Sequence, residues 1–427
     1  MYKYFNEIVA SIQNIVRFDS SAAPAAPGAP FGTETKRCLD YFLSLARNMG
    51  FETHDYDGYV GDVVFGEGEE FAVLAHLDVV PAGSGWKYPP FDGIIENGKL
   101  YGRGTTDDKG PAVICLYCLK ALKDEGVIPK RKIKLIVGCN EETGWACMEH
   151  YKKVAHMPEE GFTPDADFPV IYAEKGILHL KLAFPVKNAP FETFYSGTAA
   201  NMVCDRAVAA PYFPDESVEP QSRVTGVRLS AENGFLTAIG ISAHGSTPEK
   251  GANALQALSA YYAQRNNDCA YLYDVLWNDS LNLKAISDET GVLTMSPNVA
   301  EYKNGVLYIT VDFRIPSTHN LTEVTHAFDE TGISYEILHA QDPLFNDPNG
   351  KLIKTLLNVY NRITGSNERP IAIGGGTYAR ALKCGCGFGP EFAGEEVTIH
   401  QANEYISLET IKKLSEIYYA ALREIGK

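Results

Sequence analysis

Apolar positions at the start of the chain recur at Phe5, Ile8, Val9, Ile12, Ile15 and Val16, the three- and four-residue spacing of one helix face. Lys3, Glu7 and Arg17 break this run, so the segment is an amphipathic helix rather than a signal peptide. The Pro/Ala/Gly stretch SSAAPAAPGAPFG, residues 20–32, reads as a loop, and a helix is predicted over about 33–49. Short apolar runs near 60–65 and 71–76 have the length of buried strands. Pro111 stands where a helix opens. That helix keeps its spacing through Ile114, Cys118, Ala121 and Leu122 and stops near Gly126, before another buried strand, KIKLIVG. Strands alternating with helices predict an α/β fold, with a mainly parallel sheet flanked by helices.

From about residue 178 the pattern changes. LHLKLAF, FLTAIGIS and VLYITVDFRI alternate or run continuously as strands do, and NALQALSAYYAQR between them is helical. The expectation is an inserted α+β lid domain over 178–342, between two parts of a catalytic domain, 1–177 and 343–427. A length of 427 residues suits two domains. The last part holds the helix KLIKTLLNVYNRIT, a glycine-rich turn, and a final helix with Ile411, Leu414, Tyr418, Ala421, Leu422 and Ile425 on one face.

Composition narrows the partners. A net charge of −16 disfavours nucleic acid and anionic membrane but leaves a cation welcome. The nine cysteines have no framework spacing, so no disulfide scaffold is expected. CLYC at 115–118 lies within the helical pattern and is read as buried thiols on a core-facing helix. No stretch approaches the roughly 20 apolar residues of a membrane span, and a cytoplasmic protein is expected.

Candidate chemistry gathers where strands end. His76 and Asp78 follow the run Phe71, Ala72, Val73, Leu74, and residues i and i+2 of an extended chain project to one side. This suits a metal-binding histidine and a carboxylate that orients it. In YGRGTTDDKGP, Asp107 and Asp108 occupy a tight loop before a helix; capping would explain one of them. Glu141 and Glu142 follow the strand KIKLIVG and face opposite ways, so one can bind metal while the other reaches a water. GFTPDADFPVIYAEKG offers Asp165, Asp167 and Glu174, and His400 ends a β-like run in VTIHQANE. Imidazole and carboxylate in these proportions suit Zn²⁺ or Mn²⁺.

In this order, H-x-D-V-V-P, G-R-G-x-x-D-D-K-G-P, N-E-E-T, P-D-A-x-[FY]-P, A-H-x-S-x-P, G-G-G-T-Y-x-R and H-x-A-N-E resemble the co-catalytic metallopeptidases, the family of aminoacylases, carboxypeptidases and carnosinases. The branch of peptidase V-type dipeptidases is the nearest in pattern, although the inserted segment is short for that branch. The resemblance implies two divalent metal ions, Zn²⁺ first, with Mn²⁺ or Co²⁺ as alternatives. Asp107 would bridge them, His76 and Asp165 would complete one site, and Glu142 and His400 the other. Asp78 would orient His76, and Glu141 would be the general base. His244 would stabilise the oxyanion with help from Asn201, Arg314 would take the substrate carboxylate through a bidentate pair, and Gly375, Gly376 and Thr377 would cradle it. The implied activity is hydrolysis of unblocked dipeptides through a water bridging the two metals. A deacylase of N-acyl amino acids is the alternative within the same chemistry, and an inactive metal- or peptide-binding protein the alternative outside it. The expected partner is a small peptide; oligomeric state is left open.

Overall fold

The structure, a computed structural model, describes residues 1–212 and 220–427. The chain divides into two compact units, Met1–Tyr172 with Asn346–Ile371 and Thr377–Lys427, and Ala173–Phe345 with Ala372–Gly376.

The first unit is built on one sheet. Its strands run in the order Glu52–Tyr56, Val60–Phe65, Arg131–Gly138, Glu69–His76, Glu160–Thr163 and Cys384–Gly387, followed by Ile171–Glu174, a strand that begins in this unit and ends in the second. The central pairings are parallel, Glu69–His76 with both Arg131–Gly138 and Glu160–Thr163, and Glu160–Thr163 with Cys384–Gly387. Antiparallel pairings flank them. Phe71, Ala72, Val73, Leu74 and Ala75 are all buried, which is why this strand reads as a continuous apolar run rather than an alternation. The helix Lys109–Asp124 packs on it and against the helices Phe5–Val16 and Leu408–Ile425. Cys115 and Cys118 lie buried on that helix, and none of the nine cysteines is in a disulfide. The helix begins at Lys109, two residues before Pro111, because Gly110 also takes helical form.

Register decides what the strand ends bring together. His76 pairs with Gly138 in the parallel ladder, and the Leu77 N–H donates to the Gly138 carbonyl at 2.9 Å. The carboxyl ends of these two strands therefore lie level, where ligands bind open α/β sheets. Ala72 and Val73 pair with Gly161 and Phe162, which carries the segment after Thr163 toward the same edge.

The second unit holds an antiparallel sheet of eight strands, Arg228–Glu232, Phe235–Ile239, Arg206–Ala210, Thr193–Ser196, Thr294–Lys303, Val306–Ile315, Gly176–Pro185 and Ser334–Gln341 in spatial order. The helices Ala254–Ala263 and Leu321–Thr331 contribute Leu255, Leu258, Val324 and Phe328 to a core shared with Leu180, Leu182, Ile309, Val311 and Phe313. Residues 372–376, grouped by the sequence with the C-terminal part, belong to this unit instead. The Lys175 N–H donates to the Ile373 carbonyl at 2.9 Å and Arg314 donates through Nη1 to the Gly374 carbonyl at 2.8 Å. No helix among the described residues is long and apolar enough to cross a membrane.

Candidate metal centre

His76 ends a fully buried strand and is itself fully buried. Its Nδ1 lies 2.9 Å from the Asp78 carbonyl, an acceptor only, so Nδ1 carries a proton and Nε2 is the ring nitrogen left for a metal. That Nε2 points between carboxylates, 2.9 Å from Asp107 Oδ1 and 3.5 Å from Asp165 Oδ2. Among the described residues it has no hydrogen-bond partner.

Asp78 acts differently from the expectation. Its carboxylate stands off from the His76 ring, Oδ1 being 3.6 Å from Nδ1, because the main-chain carbonyl already holds the imidazole. The carboxylate accepts instead from the Glu141 N–H at 3.0 Å and the Glu142 N–H at 3.1 Å. It thereby ties the loop after the strand Arg131–Gly138 to the end of its neighbour.

Asp107 presents Oδ1 to His76 and Oδ2 to His400, whose Nε2 is 2.9 Å away. One carboxylate thus stands between the two imidazoles. Asp108 turns the other way: its Oδ2 accepts from the His76 N–H at 3.1 Å, and the Asp107–Asp108 peptide is cis. The approach to this pair is glycine-rich for a steric reason. Gly104 has a φ of +88°, and a Cβ there would stand 2.9 Å from Lys109 Cδ and 3.0 Å from Val79 Cγ1.

Glu142 Oε1 lies 3.2 Å from His400 Nε2. Glu141 accepts at Oε1 from Trp145 Nε1 at 3.2 Å, a contact with no signature in the sequence beyond the four-residue spacing. Of the three acids in residues 161–176, Asp165 is the one that approaches His76. Asp167 lies on the short strand Ala166–Asp167 beside Glu391, and Glu174 is buried in the second unit. Ligand atoms of His76, Asp107 and Glu142 lie within 4.8 Å of one another, and so do those of His76, Glu141 and Asp165.

The electrostatics are those of crowded acids around two bases. Burial would raise the Asp107 carboxyl, but its bonds with His400 and His76 outweigh this and hold it below the usual range. Burial pushes Glu141 well up, assisted by Asp165 and Glu142. It also raises Glu142, and it raises Asp165 with the help of Asp107. Asp107 and Glu142 lift His400 to about 11. Burial opposes the charging of His76, yet the neighbouring carboxylates of Asp107, Asp165 and Asp78 raise it well above its ordinary value. A dication reverses this logic, holding imidazoles neutral and carboxylates ionised. The buried, unpartnered Nε2 of His76 and a donor set made only of imidazoles and carboxylates fit a borderline or hard divalent cation.

The remaining candidates fall mostly in the second unit. His244 and Met202 form an antiparallel bridge, and the Gly245 N–H donates to the Asn201 carbonyl at 2.7 Å, so Asn201 and His244 share one corner. His244 Nδ1 accepts from the Ser246 N–H at 3.2 Å and lies 2.6 Å from Ser246 Oγ. The ring proton therefore sits on Nε2, free to donate. Desolvation and the neighbouring Arg314 lower its pKa, which keeps the ring neutral.

Arg314 is buried, and the fork expected to clamp a substrate carboxylate is occupied. Nε and Nη2 each donate to Asp312 at 2.8 Å, while Nη1 donates to the Gly374 carbonyl. Asp312 stands two residues away on the same strand, the i, i+2 spacing that could have signalled the pair. Gly375 and Gly376 follow this tethered residue in the second unit, and Thr377 resumes the first. Thr377 Oγ1 accepts from the Ala379 N–H at 3.2 Å. Tyr378 Oη, unremarked in the sequence, lies 2.8 Å from Cys147 Sγ.

The sequence profile of peptidase family M20/M25/M40 matches residues 72–424. A curated relative, the putative dipeptidase YtjP of Bacillus subtilis (strain 168), is 35% identical over 452 aligned residues, covering 99% of this chain and 97% of the relative. A putative dipeptidase of Staphylococcus epidermidis is 33% identical, with 98% and 97% covered. Among solved structures, human carnosine dipeptidase 1 is similar at a TM-score of 0.61 and 14% identity, over 99% of this chain and 96% of that one. The di-peptidase Dug1p of Saccharomyces cerevisiae is similar at a TM-score of 0.60 and 13% identity, with the same coverage. At these identities the structural likeness speaks for the fold alone.

Proposed function

This chain belongs to peptidase family M20/M25/M40, and from that premise we propose that it is a metallo-dipeptidase cleaving unblocked dipeptides, with a pair of divalent ions as cofactor and Glu141 as general base. The observation that carries the reading is the placement of Asp107, one oxygen 2.9 Å from His76 Nε2 and the other 2.9 Å from His400 Nε2. His76, Asp107 and Asp165 would hold one ion, and Asp107, Glu142 and His400 the other. Two such ions would lower the pKa of a water and polarise the scissile carbonyl.

Every other part of the reaction falls to side chains of this protein. Glu141 takes the proton from the attacking water and delivers it to the leaving amine. Burial and the acids beside it raise its pKa, the direction that makes a carboxylate a stronger base. The Trp145 N–H steadies one Glu141 oxygen and leaves the other for this exchange. Asp78 fixes the peptide that carries Glu141 and Glu142. His244, neutral and with its proton on Nε2, carries a donor of the kind an oxyanion needs.

Arg314 in its present pairing serves as the post to which Gly374 is tethered. In this reading it shapes the turn Gly375–Gly376 that receives the substrate carboxylate. Hydrolysis of a dipeptide panel is the test, run beside N-acetyl and N-succinyl amino acids. Turnover of free dipeptides supports the reading; turnover of the acylated set alone replaces it with a deacylase. Elemental analysis, with reactivation of chelated protein by Zn²⁺, Mn²⁺ or Co²⁺, identifies the cation.

A further inference from the structure

The last two residues of the segment HQANE have no part in the chemistry above, yet Glu404 is fully buried within the loop that leads to Asp107. Its Oε1 accepts from the N–H groups of Gly104 at 3.0 Å, Thr106 at 3.0 Å and Asp107 at 3.3 Å. Its Oε2 accepts from Arg103 Nη1 at 2.8 Å. The main chain joins in, with the Gly102 N–H donating to the Glu404 carbonyl at 2.9 Å and Thr106 Oγ1 to the Tyr405 carbonyl at 2.9 Å. Beside it, Asn403 Oδ1 accepts from the Lys87 N–H at 2.6 Å.

We propose that Glu404 is a positioning residue: its carboxylate sets the loop Gly104–Asp107 in place before any metal arrives, so that Asp107 already stands between His76 and His400. The inference rests on the two-metal reading above. Three backbone N–H groups converging on one oxygen form an anion-binding concavity. A buried N–H without a partner costs free energy comparable to a lost hydrogen bond. Without the carboxylate, these donors and the Arg103 guanidinium would be left facing one another. The loop would then turn to find other acceptors, and Asp107 would turn with it. His400 lies four residues before Glu404, so the clamp also sets one metal-binding residue relative to another.

An amide cannot replace this carboxylate. With its oxygen toward the loop, a glutamine at 404 would aim its NH₂ at the guanidinium; turned over, it would aim the NH₂ at three N–H donors. Glu404→Gln is therefore expected to drop from two metal ions per chain toward one. Its kcat should fall about 100-fold with KM within about threefold, since Glu404 touches no part of the substrate. A general loss of packing would not produce that stoichiometry.

Hydrogen exchange on the unaltered protein decides the matter whether or not the variant folds. In chelated wild-type protein, the amides of Gly104, Thr106 and Asp107 should exchange about 100-fold more slowly than those of exposed Gly83 and Ser84, and added metal should change them little. If they exchange like Ser84 until metal is added, the metal orders the loop and the proposal is overturned. Two ions bound by Glu404→Gln at wild-type affinity would overturn it as well. If the wild-type protein takes up no metal at all, the two-metal reading fails, while the exchange pattern still reports on the clamp.

Discussion

At position 78, main chain and side chain do separate work. The carbonyl takes the His76 Nδ1 proton and the carboxylate takes the N–H groups of Glu141 and Glu142. Asp78→Asn keeps the first function and halves the second, because an amide has one acceptor oxygen. It should lower kcat about 10- to 100-fold while metal content by elemental analysis stays near wild type. Loss of the metal instead would mean that the carboxylate governs His76 after all. Glu141→Gln should retain both ions and the overall fold yet lose about 10²- to 10⁴-fold in kcat. A variant with wild-type turnover would remove Glu141 from the role of base.

Among the elements, the strand Arg131–Gly138 joins the sheet to the loop of Glu141 and Glu142. Its last residue has no room for a side chain: a Cβ on Gly138 would stand 2.4 Å from Tyr378 Oη and 3.0 Å from Met148 Cε. Tyr378 is fully buried, held by Cys147 and flanked by Trp145 and His76, so it cannot swing aside. Gly138→Ala should destabilise the protein by about 1–3 kcal/mol, as overpacking does, read as a lower midpoint in urea at unchanged slope. An unchanged midpoint would show that the Tyr378 ring relaxes. The strand itself was legible in KIKLIVG, since its buried apolar run stops at Gly138. The helix Lys109–Asp124 was legible too, apart from its start, where Gly110 overrode its own weak helix propensity.

For the whole molecule, the electrostatics of the centre predict how metal and stability are linked. Without metal, Asp107 and Glu142 raise His400 to about 11, against about 6.5 for an unfolded histidine. A raised pKa stabilises the folded state fully below about 6.5 and progressively less as pH climbs toward 11. Metal requires the neutral ring, so binding expels the proton and tightens as pH rises. The increase in Tm on adding Zn²⁺ to chelated protein should therefore widen between about pH 6.5 and 8.5. At 100 times Kd a single ion adds about 2.7 kcal/mol. Differential scanning fluorimetry across that range measures it, and a shift that narrows with pH would contradict the assignment of His400.

The sequence by itself determined the elements and the chemical kinds of residue at their ends. Buried strands and helix faces announce themselves by period, because a side chain's direction is set by its own backbone. His76, Asp107, Glu141, Glu142, Asp165 and His400 were legible as candidates on motif order and residue type. Tertiary structure decided which oxygen meets which nitrogen. The two acids Asp107 and Asp108 are adjacent and alike in the sequence; only the folded loop turns one toward both imidazoles and the other under the His76 backbone. Arg314 found its carboxylate within its own strand, and Glu404 met its donors some 300 residues away along the chain. Hydrogen bonds and ion pairs are fixed by distance and angle in space, and those are set only when strands in register bring remote segments to one edge of the sheet.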